Sequence, residues 1–226
     1  MTVFSRQREN LFNGLGETVE IEDPYGFPLL KSSDLANGRL TLRKAVLVTQ
    51  RHIGDATAEI EHKAPKTWRY LQKHRDCLDR RKSTIYKNRP RFSVFGIGSY
   101  SFSAWKIALS GLYKNISFVV VPPWEGKPVM VDDTCYFISC HSRDEASLML
   151  ELLSSAPANK FLRALIFLDA KRPITIDVLR RISFVNLARE IGQYQKFQYI
   201  TQQNRLQEVT QSQSLWLMES KQKYQT

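Results

Sequence analysis

The chain has 226 residues, 42% apolar and 24% charged, with 33 basic against 22 acidic side chains and a formal charge of +11. That length suits one sizeable domain or two small ones and excludes a large multidomain machine. The composition excludes a disordered chain, no apolar run approaches the ~18 residues of a membrane span, and the basic surplus favours an anionic partner.

Residues 1–26 are polar, with loose glycines and an acidic patch of Glu17, Glu20, Glu22 and Asp23, so little stability is expected there and the folded part is expected to start near Tyr25. Lys44 to Gln50 (KAVLVTQ) reads as a buried strand. From Pro65 to about residue 80, Ala64, Trp68, Leu71 and Leu78 fall near one face, which predicts an amphipathic helix with basic outer faces. Eleven basic residues lie between Lys63 and Arg91 against only Asp76 and Asp79, so nine of the eleven net charges sit in 29 residues. The end of that segment, Arg80 to Arg91, has too little periodicity to be core and predicts a loop that touches a partner.

Between Phe92 and Cys140 the apolar runs FSVFGI, SFSAWKIALS, ISFVVV, PVMV and TCYFISC are short and broken by glycine, proline and aspartate. They predict a meander of about five strands. Residues 143–168 switch to helical spacing with a break near Pro157, two short helical stretches run through Ile191, and Asp169–Pro173 is a loop. The expected class is α+β: a mostly antiparallel meander with a basic helix before it and several helices after it. The expected division is a polar segment over 1–26, a body over 27–192 and a glutamine-rich helical tail over 193–226, where ten Gln fall in 34 residues.

Three cysteines and a polar start without an apolar signal core predict a cytoplasmic protein with reduced thiols. Cys135, Cys140 and His141 lack the second ligand pair of a structural zinc site. The loop Phe95-Gly96-Ile97-Gly98 is followed by an apparent strand, whereas a dinucleotide or S-adenosylmethionine loop opens a helix. Val121-Pro122-Pro123-Trp124 stands where an amino-methyltransferase would place an Asn, Asp or Ser, and valine offers no acceptor for the target amino group. Asp132 and Asp133, with Glu125 and Lys127 nearby, define an alternative nuclease metal site. An RNA-binding or assembly module is a further alternative. The residues themselves favour a polyanion site: Arg80, Arg81 and Lys82 for phosphates, Ser83 and Thr84 as short donors, with Tyr86 and Lys87 behind them.

The runs LLKSSDLANGR, LVTQRHIGDATAEIEHKAPKTWRYLQKHRDCLDRRKSTIYKNRPRFSVFGIGSYSFSAWKIALSGLYKN, KPVMVDDTCYFISC and LIFLDAKRPIT resemble the C-terminal target-recognition region of adenine-specific DNA methyltransferases of restriction-modification systems, of the Eco-type and Taq-type methylases. The resemblance spans about residues 27–190. It implies a domain that grips duplex DNA and helps place a flipped adenine before a catalytic methyltransferase domain or subunit on another chain. It also implies DNA-facing roles for Arg81, Lys82, Ser83, Tyr86, Lys87, Ser99, Tyr100, Ser101 and Lys106, with Lys171 and Arg172 as a second contact. Full-length relatives carry an S-adenosylmethionine-binding FxGxG loop and an Asn-Pro-Pro-aromatic tetrapeptide before this region. Neither is in this sequence, so the cofactor is expected in the catalytic partner, with none bound by this chain.

Overall fold

The computed structural model describes residues 2–82, 86, 88–167 and 173–206. Val3–Gln7 (β1) and Asn10–Phe12 (β2) form a hairpin, followed by Gly26–Leu30 (β3), the short helix Ser32–Ala36 (α1) and Lys44–Leu47 (β4). Three helices come next: Ile60–Lys63 (α2), Pro65–Lys73 (α3) and Arg75–Asp79 (α4). After a long loop the chain makes Trp105–Ser110 (β5), Val119–Val121 (β6), Met130–Val131 (β7) and Cys135–Cys140 (β8). It ends in Arg143–Ser154 (α5), Ala156–Leu165 (α6), Ile176–Leu179 (α7), Phe184–Glu190 (α8) and residues 194–206 (α9). The remainder of the glutamine-rich tail, 207–226, lies outside the described residues. Among the described residues no helix is long and apolar enough to cross a membrane.

The class is α+β and the strands are mostly antiparallel, in a five-stranded sheet of order β2-β1-β4-β3-β7 and a three-stranded sheet β6-β5-β8. Among the described residues only β3 and β7 run parallel, with Leu29 facing Met130. The strands between residues 92 and 140 therefore do not form one meander: β7 joins the first sheet, while its sequence neighbours β6 and β8 pair with β5. Phe92–Ile97, expected as a strand, is loop, because its side chains serve two different cores. Phe92 is 1% exposed against Trp68 and the α2–α4 helices, whereas Ile97 packs with Phe27, Leu29, Val46 and Val48 on the opposite face of the sheet.

The folded part begins well before Tyr25. Phe4 is 1% exposed, β1 pairs with β4 (Phe4 opposite Ala45), and Phe4 meets the Tyr70 ring edge-on at 5.5 Å. The acidic patch is structural as well. Glu22 accepts hydrogen bonds from the backbone N–H groups of Lys66 and Thr67 (both 2.8 Å) and from the Thr67 hydroxyl (2.6 Å), satisfying amides that the start of α3 leaves without helical partners. Burial opposes the charge on this carboxylate, yet those hydrogen bonds keep its pKa below the ordinary value.

The helix expected over 65–80 is two helices, α3 and α4. Thr67, Tyr70 and Leu71 form the buried stripe of α3, and His74 then leaves helical geometry (φ −106°, ψ 14°) before α4 starts. The expected break near Pro157 falls between α5 and α6: Ser155 caps the second helix and Pro157 lies in its first turn.

Candidate nucleic-acid interface

The segment from Arg89 to Gly98 is fastened by side chains from distant segments. Gln50 donates to the Val94 carbonyl (2.6 Å) and accepts from the Val94 amide (3.0 Å), so one amide side chain satisfies a backbone group pair as a neighbouring strand would. The Thr49 hydroxyl donates to the Phe92 carbonyl (2.9 Å), the Thr57 hydroxyl to the Arg91 carbonyl, and Arg91 reaches Asp79. Arg81 donates to the Leu78 and Ser93 carbonyls (2.7 Å each), with its guanidinium 3.8 Å from the centroid of the Tyr86 ring.

Two turns project from this anchored frame. In the first, the Asp55 carboxylate accepts from the amides of Arg51 (3.0 Å) and His52 (2.7 Å), bonds that lower its pKa. Gly54 takes a left-handed φ of 99°, and Ile53 stands 59% exposed at the tip. In the second, Gly96 (φ 76°) turns the chain, the Tyr100 hydroxyl donates to its carbonyl (3.1 Å), and Phe95 is 47% exposed. Between them lies a cleft of about 170 Å³ whose lining includes Gln50, Ile53, Tyr86, Arg89, Phe95 and Tyr100.

The predicted residues separate by what they already touch. Arg80, Lys82 and Ser99 are exposed, and Tyr100 is half-exposed with its ring 5.9 Å from that of Phe137. Among the described residues Arg80, Lys82 and the exposed Arg89 make no ion pair. Tyr86 is half-buried and lines the cleft together with Tyr100. Arg81 is committed to two backbone carbonyls. Ser101 is buried, accepting from the Gly98 amide (3.3 Å). Lys106 is 1% exposed, donates to the Ser103 carbonyl and lies over the Phe137 ring, and burial pulls its pKa down to about 8. Ser83, Lys87, Lys171 and Arg172 lie outside the described residues. The sequence alone did not single out Gln50 and Ile53, and it offered Phe95 only as part of a glycine-containing loop. The available signal was an isoleucine between Arg51-His52 and Gly54-Asp55, an apolar residue in an otherwise polar turn.

The rival chemistries find other employment for their residues. The Asp132 carboxylate accepts from the Thr134 amide (2.9 Å) and closes the turn into β8, while Lys127 donates to Asp23 and to the Gly26 carbonyl. Cys135 and Cys140, five apart on one strand, point to opposite faces and into separate cores. Burial raises both thiol pKa values, that of Cys140 to about 12. The 95–98 loop runs into a 3-10 turn and then β5, and its Gly98 amide is taken by Ser101, so it does not form the helix-opening cradle of a nucleotide cofactor.

No family model matches the chain. Over 184 residues, 81% of its length, the chain is similar to part of a type II methyltransferase. That relative is the type II methyltransferase M.NspV of Nostoc sp. (strain ATCC 29411 / PCC 7524), with 47% identity, and the chain spans 38% of its length.

Proposed function

We propose that this chain is the target-recognition part of an adenine-specific, S-adenosylmethionine-dependent DNA methyltransferase of a restriction-modification system. It binds duplex DNA and presents the target adenine to a catalytic domain or subunit that supplies the cofactor site. The similarity to M.NspV supports the methyltransferase setting. The observation that carries DNA contact is the set Arg80, Lys82 and Arg89, which make no ion pair among the described residues, next to a frame held by Gln50, Thr49 and Arg81 and beside a cleft that Tyr86 and Tyr100 line. Free cations on a fixed frame bind phosphates and release their counterions, while the tyrosines reach towards bases.

Duplex binding measured against salt tests the reading. With about six to ten phosphate contacts, affinity should fall roughly 1,000- to 100,000-fold between 50 and 200 mM salt. A flat profile, or stronger binding to single-stranded RNA than to duplex DNA, would overturn it.

A further inference from the structure

The cleft between the two turns has features that phosphate binding alone does not require. Ile53, Phe95 and Tyr100 are 59%, 47% and 48% exposed and share its wall, so apolar surface is held in water beside Arg89, at the end of the most basic segment. Both tips are pre-set: Asp55 and Gly54 fix the first turn, Gly96 and the Tyr100 hydroxyl fix the second, and Gln50 ties the frame of one to the frame of the other. Tyr86 is covered on one side by the Arg81 guanidinium and still contributes to the cleft wall. The volume of about 170 Å³ falls below the ~300–1,000 Å³ of a pocket for a drug-sized ligand and suits a single ring system. Arg89, also in the lining, makes no ion pair among the described residues.

We propose that this cleft is a stacking site for one nucleobase that is unpaired or displaced from bound DNA, with Phe95 and Tyr100 as stacking faces, Ile53 as an apolar lip and Arg89 as the contact to the adjoining phosphate. The inference rests on the DNA-binding reading and deepens it. Any base offers a flat face to an aromatic ring, so the site adds affinity without reading sequence, while charge complementarity selects a nucleotide over an apolar peptide. A fixed aromatic wall loses little rotamer freedom when the base arrives.

The full chain is titrated with two 20-base-pair duplexes that differ only by one extra, unpaired adenine on one strand, at a fixed salt concentration. The bulged duplex should bind about tenfold more tightly, the scale of one aromatic stack. In Phe95→Ala and in Tyr100→Ala the ratio of the two affinities should collapse towards one, whatever happens to either affinity alone. Lys82→Ala should weaken both duplexes together and preserve the ratio. Gly98→Ala gives an independent variant: a Cβ there would lie 2.6 Å from the Tyr100 ring and displace it, so the ratio should fall although no cleft side chain is removed. Equal binding of the two duplexes by the unaltered protein, or a ratio that survives Phe95→Ala, overturns the stacking site while steep salt dependence leaves the DNA-binding reading standing. Failure to bind either duplex overturns both.

Discussion

From Lys63 to Asp79 most of the cations meet acids: Lys63 pairs with Glu59, Lys73 with Glu17 and Arg75 with Asp76, while the His74 ring also lies against Glu17. Among the described residues Lys66 and Arg69 make no ion pair but share a surface groove with Glu17 and Glu20. Immediately after this stretch, Arg80, Lys82 and Arg89 meet no acid among the described residues, although the charge density in sequence is just as high. In the first stretch the contacts to Glu17 tie the end of α3 to the N-terminal segment, while Lys63–Glu59 and Arg75–Asp76 are local pairs. The second leaves its charge unmatched among the described residues, as the proposed DNA contact requires. Local charge density therefore overstates the binding surface, because acids from 56 positions away already neutralise part of it.

The division can be broken most forcefully at Phe92, which joins the two stretches to the core. Phe92→Ala should cost about 3–5 kcal/mol, measured by urea denaturation, because it empties a buried site against Trp68. A loss below about 1 kcal/mol would mean that the loop is not anchored there.

Arg81 is the sharper case, since it lies among the free cations but is bonded like the others. Arg81→Ala should cost about 1–3 kcal/mol of stability by stranding the Ser93 carbonyl, while the Leu78 carbonyl keeps its bond from the residue 81 amide. It should leave the salt dependence of duplex binding unchanged. A salt slope reduced by about one unit would move Arg81 to the phosphate-binding set.

Acid should dissolve the paired stretch in two stages. Burial lowers the pKa of His74 below 6.5, so between that lowered value and 6.5 the unfolded chain binds more protons than the folded one, and stability falls as pH drops through this window. Glu17, lowered chiefly by its hydrogen bond from Lys73, and Glu22 add a second loss below about pH 4.5. Urea midpoints between pH 7.5 and 3.5 should show both stages, and His74→Gln should remove the upper one. An upper stage that persists in His74→Gln would assign it elsewhere.

The smallest stability effect belongs to the free cations. Arg80→Ala and Lys82→Ala should each leave stability within about 0.5 kcal/mol and each lower the salt slope of duplex binding by about one unit. Lys82→Ala with an unchanged slope would remove Lys82 from the interface.

Periodic, local features were legible in the sequence. The start of α3 at Pro65, the strand through Ala45–Leu47, and the two helices around Pro157 follow from spacing and capping residues. What escaped depended on partners remote in sequence. The pattern of β1 is too short to announce a strand until β4 pairs with it, and the acids near Glu17 look solvated until α3 arrives. Phe92–Ile97 has strand composition but a left-handed φ of 70° at Phe92, imposed by the need to fill two cores from one loop. At the candidate interface the charged segment and Tyr100 could be read directly, whereas Gln50 and Ile53 become significant only once two turns 40 residues apart are tied together.

The double anchorage of the 92–102 loop bears on how such a module can be re-engineered. Its contact side chains cannot be transplanted as a cassette: Phe92 needs the α2–α4 pocket, Ile97 and Phe102 need the far side of β3 and β4, and Val94 needs Gln50. A chimaera carrying residues 80–104 alone would arrive without the surfaces that give the loop its shape. The smallest transferable unit reaches back through β3, β4 and α2–α4, so single substitutions at the turn tips disturb the surface far less than exchange of the loop.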